Sequence, residues 1–149
     1  MVNRWLLPLL LFVPAVSSAQ QTARVYVKSK LAESRHLPFS DAVLVGNTLY
    51  ISGKTGVESG TKGSVSAEEQ ARLVMDQVKQ IVKQAGMKMD DIVLVQVFCM
   101  DMKDYDVFNR VYKTYFHGQY PARAFIGVSD LRHGARYEVT AIAIRHGHP

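Results

Sequence analysis

The residue most in need of a chemical explanation is Arg123, set in the strand-like run Pro121-Ala122-Arg123-Ala124-Phe125-Ile126-Gly127-Val128. A guanidinium in an apolar strand is costly to bury unless an anion pairs with it. Its planar fork fits a carboxylate through two parallel hydrogen bonds. Two partners are therefore open: a protein carboxylate such as Glu138 or Asp130, or a small carboxylic acid from outside. Sequence physics weighs them evenly. A second chemical run follows, Tyr137-Glu138-Val139-Thr140-Ala141-Ile142-Ala143, in which Glu138 and Thr140 share one face of a strand. The histidines carry less. His133 stands beside Gly134 in a turn, and His146 and His148 stand at the C-terminal end; their spacing is a weak metal pattern, and no metal is assigned. Neither a Gly-rich phosphate loop nor a Gly-x-Ser-x-Gly elbow is present. Cys99, the single cysteine, lies in an apolar run and reads as a small buried hydrophobe.

The elements that must position these residues follow the order strand, strand, strand, helix, strand, helix, strand, strand. Arg24 to Ser29 alternates polar and apolar residues. Ala42 to Val45 and Thr48 to Ser52 flank Gly46-Asn47, a hairpin turn that needs positive φ. Gly53 to Ser64, rich in Gly, Ser, Thr and Lys, reads as a mobile loop and candidate lid. Ser66 with Glu69 has capping-box spacing. Ala71, Val74, Val78, Ile81, Val82 and Ala85 then recur at helical period, closed by Gly86. Ile92 to Met100 is a β-branched central strand. Asp104 is placed to cap a second helix with an apolar face of Phe108, Val111, Tyr112, Tyr115 and Phe116. Strands then run from Pro121 to Val128 and from Arg136 to Arg145.

This pattern predicts an α+β, two-layer sandwich: a mixed β-sheet with two helices on one face. Tyr50, Phe125 and Ile126 are expected near the uncovered face, too apolar for bulk solvent. A symmetric homo-oligomer would bury that face and leave clefts between subunits as ligand sites.

The first residues are set aside as a leader. Met1 to Arg4 is a short positive region, Trp5 to Val16 a nearly continuous apolar run, and Ser17-Ser18-Ala19 a small-residue cleavage site. The run is shorter than the roughly 20 residues a spanning helix needs, and it contains Pro8 and Pro14. Residues 1–19 are thus expected to be a signal peptide and 20–149 one domain, exported to the periplasm or secreted and free of the membrane after cleavage. That domain has 149 − 19 = 130 residues, enough for a hydrophobic core without disulfides. The net charge of +5 is spread among acids, with no clustered basic stripe, which argues against a nucleic-acid partner.

The Pro121-Ala122-Arg123 block, the run from Tyr137 to Ala143, the strand Tyr50-Ile51-Ser52-Gly53 and the helix end Gln84-Ala85-Gly86 together resemble the RidA/YjgF (reactive intermediate deaminase A) family. The likeness runs from about His36 to Arg145. It implies a chorismate-mutase-like fold, a homotrimer with clefts at its subunit interfaces, and no cofactor. The activity implied is hydrolysis of reactive enamines and imines, such as 2-aminoacrylate or 2-iminobutyrate, to the 2-keto acid and ammonia.

By the same resemblance Arg123 grips the substrate carboxylate, and Ser52, Gly53 and Asn109 line the site. Phe39 stands where many members have Tyr, and Phe125 where many have Cys. Thr140 stands where deaminating members commonly carry a Glu that positions the attacking water. A threonine can hydrogen-bond that water but is no base near neutral pH, so a factor on the order of 10² to 10⁴ is at stake. Glu138 matches a position where the family generally has Glu, and a structural role is expected of it. The resemblance therefore leaves an imine deaminase with catalytic Arg123 and Thr140, or a trimer that binds small carboxylates and has lost efficient turnover. A third reading, the ribonuclease or chaperone-like activity attributed to some relatives, has the lack of a basic stripe against it.

Overall fold

In the computed structural model, which describes residues 23–29, 33–34, 36–57 and 65–146, the apolar periods become two layers. Six strands, β1 (Arg24–Val27), β2 (Ala42–Val45), β3 (Thr48–Thr55), β4 (Ile92–Cys99), β5 (Ala122–Gly127) and β6 (Tyr137–Ile144), form one sheet in the order β1-β2-β3-β6-β4-β5. All neighbours are antiparallel except β4 and β5, which run parallel. Two helices, α1 (Ala67–Gln84) and α2 (Tyr105–Tyr112), cover one face. The expected α+β sandwich with a mixed sheet is the fold observed.

Local chemistry explains the element ends. The Ser66 hydroxyl accepts from the Glu69 N–H at 3.2 Å and starts α1. Gly86, at φ 69°, ends it in the left-handed conformation that glycine tolerates best. The hairpin between β2 and β3 has its positive φ at Gly46. The core lies where Val74, Val78, Ile81 and Val82 of α1 and Phe108 and Val111 of α2 meet Leu49, Val95, Val97, Tyr137 and Val139. Cys99 is buried there as a free thiol, and burial pushes its pKa up.

Three expectations are corrected. Gly53, Lys54 and Thr55 belong to strand β3 rather than to a loop. The register between β3 and β6 slips by one residue between Ile51 and Lys54, a bulge that turns Lys54 toward the helices. There it pairs with buried Asp41. Asp104 makes no side-chain cap, because its carboxylate is taken by Arg136 at 2.7 Å. Phe125 lies on the helix-covered face, in ring contact with Phe108 and Tyr105, since adjacent residues of a strand point to opposite faces. Tyr50 and Ile126 do lie on the open face, half-exposed. The expected leader 1–19, residues 58–64 of the expected loop, and His148 lie outside the described residues. No helix among the described residues is long and apolar enough to cross a membrane.

Candidate functional site

Arg123 sits on β5, an edge strand, opposite Val95 of β4. Val95 is buried under the helices, so the Arg123 side chain rises on that same face, beside α2. Aromatic rings surround it. The guanidinium carbon lies 4.7 Å from the Tyr112 ring centre, 5.6 Å from Phe125 and 5.8 Å from Tyr105. All three fall within cation–π range. Tyr105 also accepts a long hydrogen bond, 3.5 Å, from Arg123 Nη2. Among the described residues no carboxylate approaches within ion-pair distance of Arg123. Neither Glu138 nor Asp130 fills the role left open in the sequence. An aromatic cage steadies the cation without occupying most of its N–H donors, which is what a site for an external carboxylate needs.

Helix α2 supplies the cage because its residues 105, 108, 109 and 112 form one stripe at helical spacing. Asn109 therefore lies on the stripe that faces Arg123; it is half-buried, and its carboxamide has no hydrogen bond among the described residues. The Tyr112 hydroxyl is fully buried without a partner in the described structure. Burial pushes this phenol up to about 12, and the nearby Arg123 charge only partly opposes the shift.

Thr140 is elsewhere. It stands opposite Gln96 of β4 and donates to the Gln96 carboxamide oxygen at 3.3 Å. That places it on the open face, in a shallow hollow of about 100 Å³ lined by Tyr50, Leu94, Gln96 and Ile142 among others. Glu138 shares this face, opposite Phe98. Ser52 and Gly53 form the bulge of β3. The Ser52 hydroxyl donates to the Ser40 carbonyl at 2.7 Å, which ties down the turn that carries half-exposed Phe39. A Cβ on Gly53 would run into the Glu138 carboxyl, so Glu138 packs across a position that only glycine leaves open.

Two groups thus emerge from seven expected residues. Arg123, Asn109 and Phe125 stand together on the helix side of an edge strand. Ser52, Gly53, Phe39 and Thr140 belong to the strands and turn on the far side of β4. One chain does not converge the two groups on a single small molecule, because the sheet itself lies between Arg123 and Thr140. Tyr105 and Tyr112 are the site residues that sequence reasoning missed or took only for core. Their spacing of seven, with Asn109 between them, was the available signal.

The histidines stay outside. His133 has a left-handed backbone beside Gly134, and exposed His146 contacts Asp91 at 3.0 Å. No group of three potential ligands that could hold a metal occurs among the described residues.

Residues 30–145 match the family model described as Endoribonuclease L-PSP. A mouse protein named 2-iminobutanoate/2-iminopropanoate deaminase is 39% identical over 110 residues, which is 72% of this chain and 82% of that protein. Yeast Mmf1 is 34% identical, covering 83% of this chain and all of its own (100%), with a TM-score of 0.74. E. coli TdcF, solved with bound serine, is 33% identical over 73% of this chain and 89% of its own, with a TM-score of 0.69.

Proposed function

This chain belongs to the RidA/YjgF family, the family of the Endoribonuclease L-PSP model, and on that premise we propose that it hydrolyses small 2-imino acids and their enamines to 2-keto acids and ammonia. The observation that carries the reading is Arg123, a half-buried guanidinium held by aromatic rings and without an ion-paired carboxylate among the described residues. The name of the mouse relative and the amino acid held by TdcF support the same ligand class.

The chemistry is simple to balance. Water adds to the electrophilic C2 of the imine, the C–N bond of the resulting carbinolamine breaks, and ammonia leaves as C2 becomes a carbonyl. Arg123 fixes the carboxylate next to C2, so the reacting carbon is presented in one orientation. Thr140 orients the water through its hydroxyl and takes no proton; the substrate nitrogen receives its protons from solvent. No cofactor is required.

Separation of the two residue groups by the sheet supports a homotrimer, in which Arg123, Asn109 and Phe125 of one copy meet Ser52, Gly53, Phe39 and Thr140 of the next. The exposed apolar side chains of the open face, Tyr50 and Ile126, are surface for that contact. Residues 1–19 form the export leader in this reading; N-terminal sequencing of the protein from its final compartment should begin at Gln20.

A second reading, binding of a small carboxylate without turnover, draws on Thr140 and Phe39. The deciding assay is ammonia release from an imino acid generated in situ, with wild type, Arg123→Ala and Thr140→Glu side by side. Deamination predicts a wild-type rate that vanishes in Arg123→Ala. A silent wild type that Thr140→Glu awakens would select the binder.

A further inference from the structure

We propose that Tyr105 is a further substrate-binding residue, whose hydroxyl donates to the carboxylate that Arg123 holds while the Tyr112 ring aims the guanidinium. This rests on the small-carboxylate reading above and goes beyond it in naming a second donor.

The two tyrosines stand seven residues apart on α2 and treat the guanidinium differently. Tyr112 is buried, and its ring lies closest to the guanidinium, 4.7 Å from ring centre to cation carbon. A ring in that position constrains the cation without accepting its hydrogen bonds. Tyr105 is 40% exposed, so its hydroxyl stands at the rim, beside Arg123 Nη2 at 3.5 Å. The oxygen accepts from Arg123, which leaves its own proton for another acceptor. An anion seated on the fork is the acceptor within reach.

The Tyr105 ring is held edge-on against Phe125, with centres 4.9 Å apart and planes at 80°, which limits its swing. Neighbouring tyrosines are otherwise engaged. Tyr115 donates toward Asp76 and the Arg72 carbonyl, Tyr137 toward the Asp104 carbonyl, and Tyr120 packs on Tyr112 and Phe116.

The test is titration calorimetry with 2-ketobutyrate and, separately, with its primary amide, on wild type, Tyr105→Phe, Tyr112→Leu and Arg123→Ala. Tyr105→Phe keeps the ring, so melting should be unchanged while the acid binds about five- to tenfold more weakly. The preference for acid over amide should shrink in step. Tyr112→Leu removes the platform and should bind the acid more weakly. Unchanged affinity in Tyr105→Phe, with Arg123→Ala silent, would overturn the hydroxyl's role and leave the carboxylate site standing. Wild type that binds no acid would overturn the carboxylate site and this inference with it.

Discussion

At the scale of single residues, the open question is how much the hydroxyl of Thr140 can do where a base would do more. Thr140 already spends its proton on Gln96, so a water it contacts is positioned but not activated. Thr140→Glu should therefore raise ammonia release on the order of 10²-fold or more, read as initial rate on an imino acid made in situ. Gly53 offers a sharper structural case. A methyl there meets the Glu138 carboxyl, and since Glu138 is a half-buried strand residue its retreat is restricted. Gly53→Ala should cost about 1–3 kcal/mol by urea denaturation, and Gly53→Ala with Glu138→Ala together should recover most of that loss.

Between the elements, the pair of Lys54 and Asp41 locks the start of the sheet to the rest. Asp41 also accepts the Ser29 N–H at 2.6 Å and donates its own N–H to the Val27 carbonyl, so one residue gathers β1, β2 and the bulge of β3. Burial alone would raise the Asp41 pKa, but Lys54 and the Ser29 N–H outweigh it and hold the carboxyl below its ordinary value. A carboxyl with a depressed folded pKa stabilises above its unfolded pKa, near 4, and that contribution fades as pH falls through the lower folded value. Wild type should lose stability from this group below about pH 4, whereas Asp41→Asn should lack that part of the slope. At neutral pH the same change leaves the part-buried Lys54 without its counter-charge and should cost about 1–3 kcal/mol; equal midpoints for both proteins across pH would refute the pairing.

How far the elements could be read beforehand varied with the range of the interaction. The cap at Ser66, the stop at Gly86 and the apolar stripe of α1 are local, and they stand in the structure as their spacing implied. The extra residue of β3 was not legible, because a bulge is defined only against the partner strand. For that reason Lys54 looked like loop and became a strand residue paired with Asp41. Asp104 looked like a cap because nothing local announces Arg136, 32 residues on. Arg123 and Thr140 could each be assigned to a strand, yet their opposite faces depend on which strand lies between them.

For the whole molecule, the open face of the sheet decides whether a single chain is sufficient. Ile126, on the open side of the edge strand, projects from β5 two residues beyond Ala124 and opposite Phe98. A charge placed there should prevent copies from packing over that face. Light scattering should find three copies in the wild type and one in Ile126→Glu, with ammonia release lost although Arg123 is intact. A wild-type monomer with full activity would show that both residue groups are not needed at one site.

The place of β6 has a consequence for synthesis. It pairs with β3 on one side and β4 on the other, so the three strands before α1 and the two after it share no ladder until β6 slides between them. A nascent chain can form its helices and hairpin early, but it holds two separate ribbons until residue 144 has been made. Joining them closes loops that span most of the domain, which is slow compared with local contacts. Translation speed near the end of the domain, and any chaperone waiting there, should therefore govern yield more than events at its beginning.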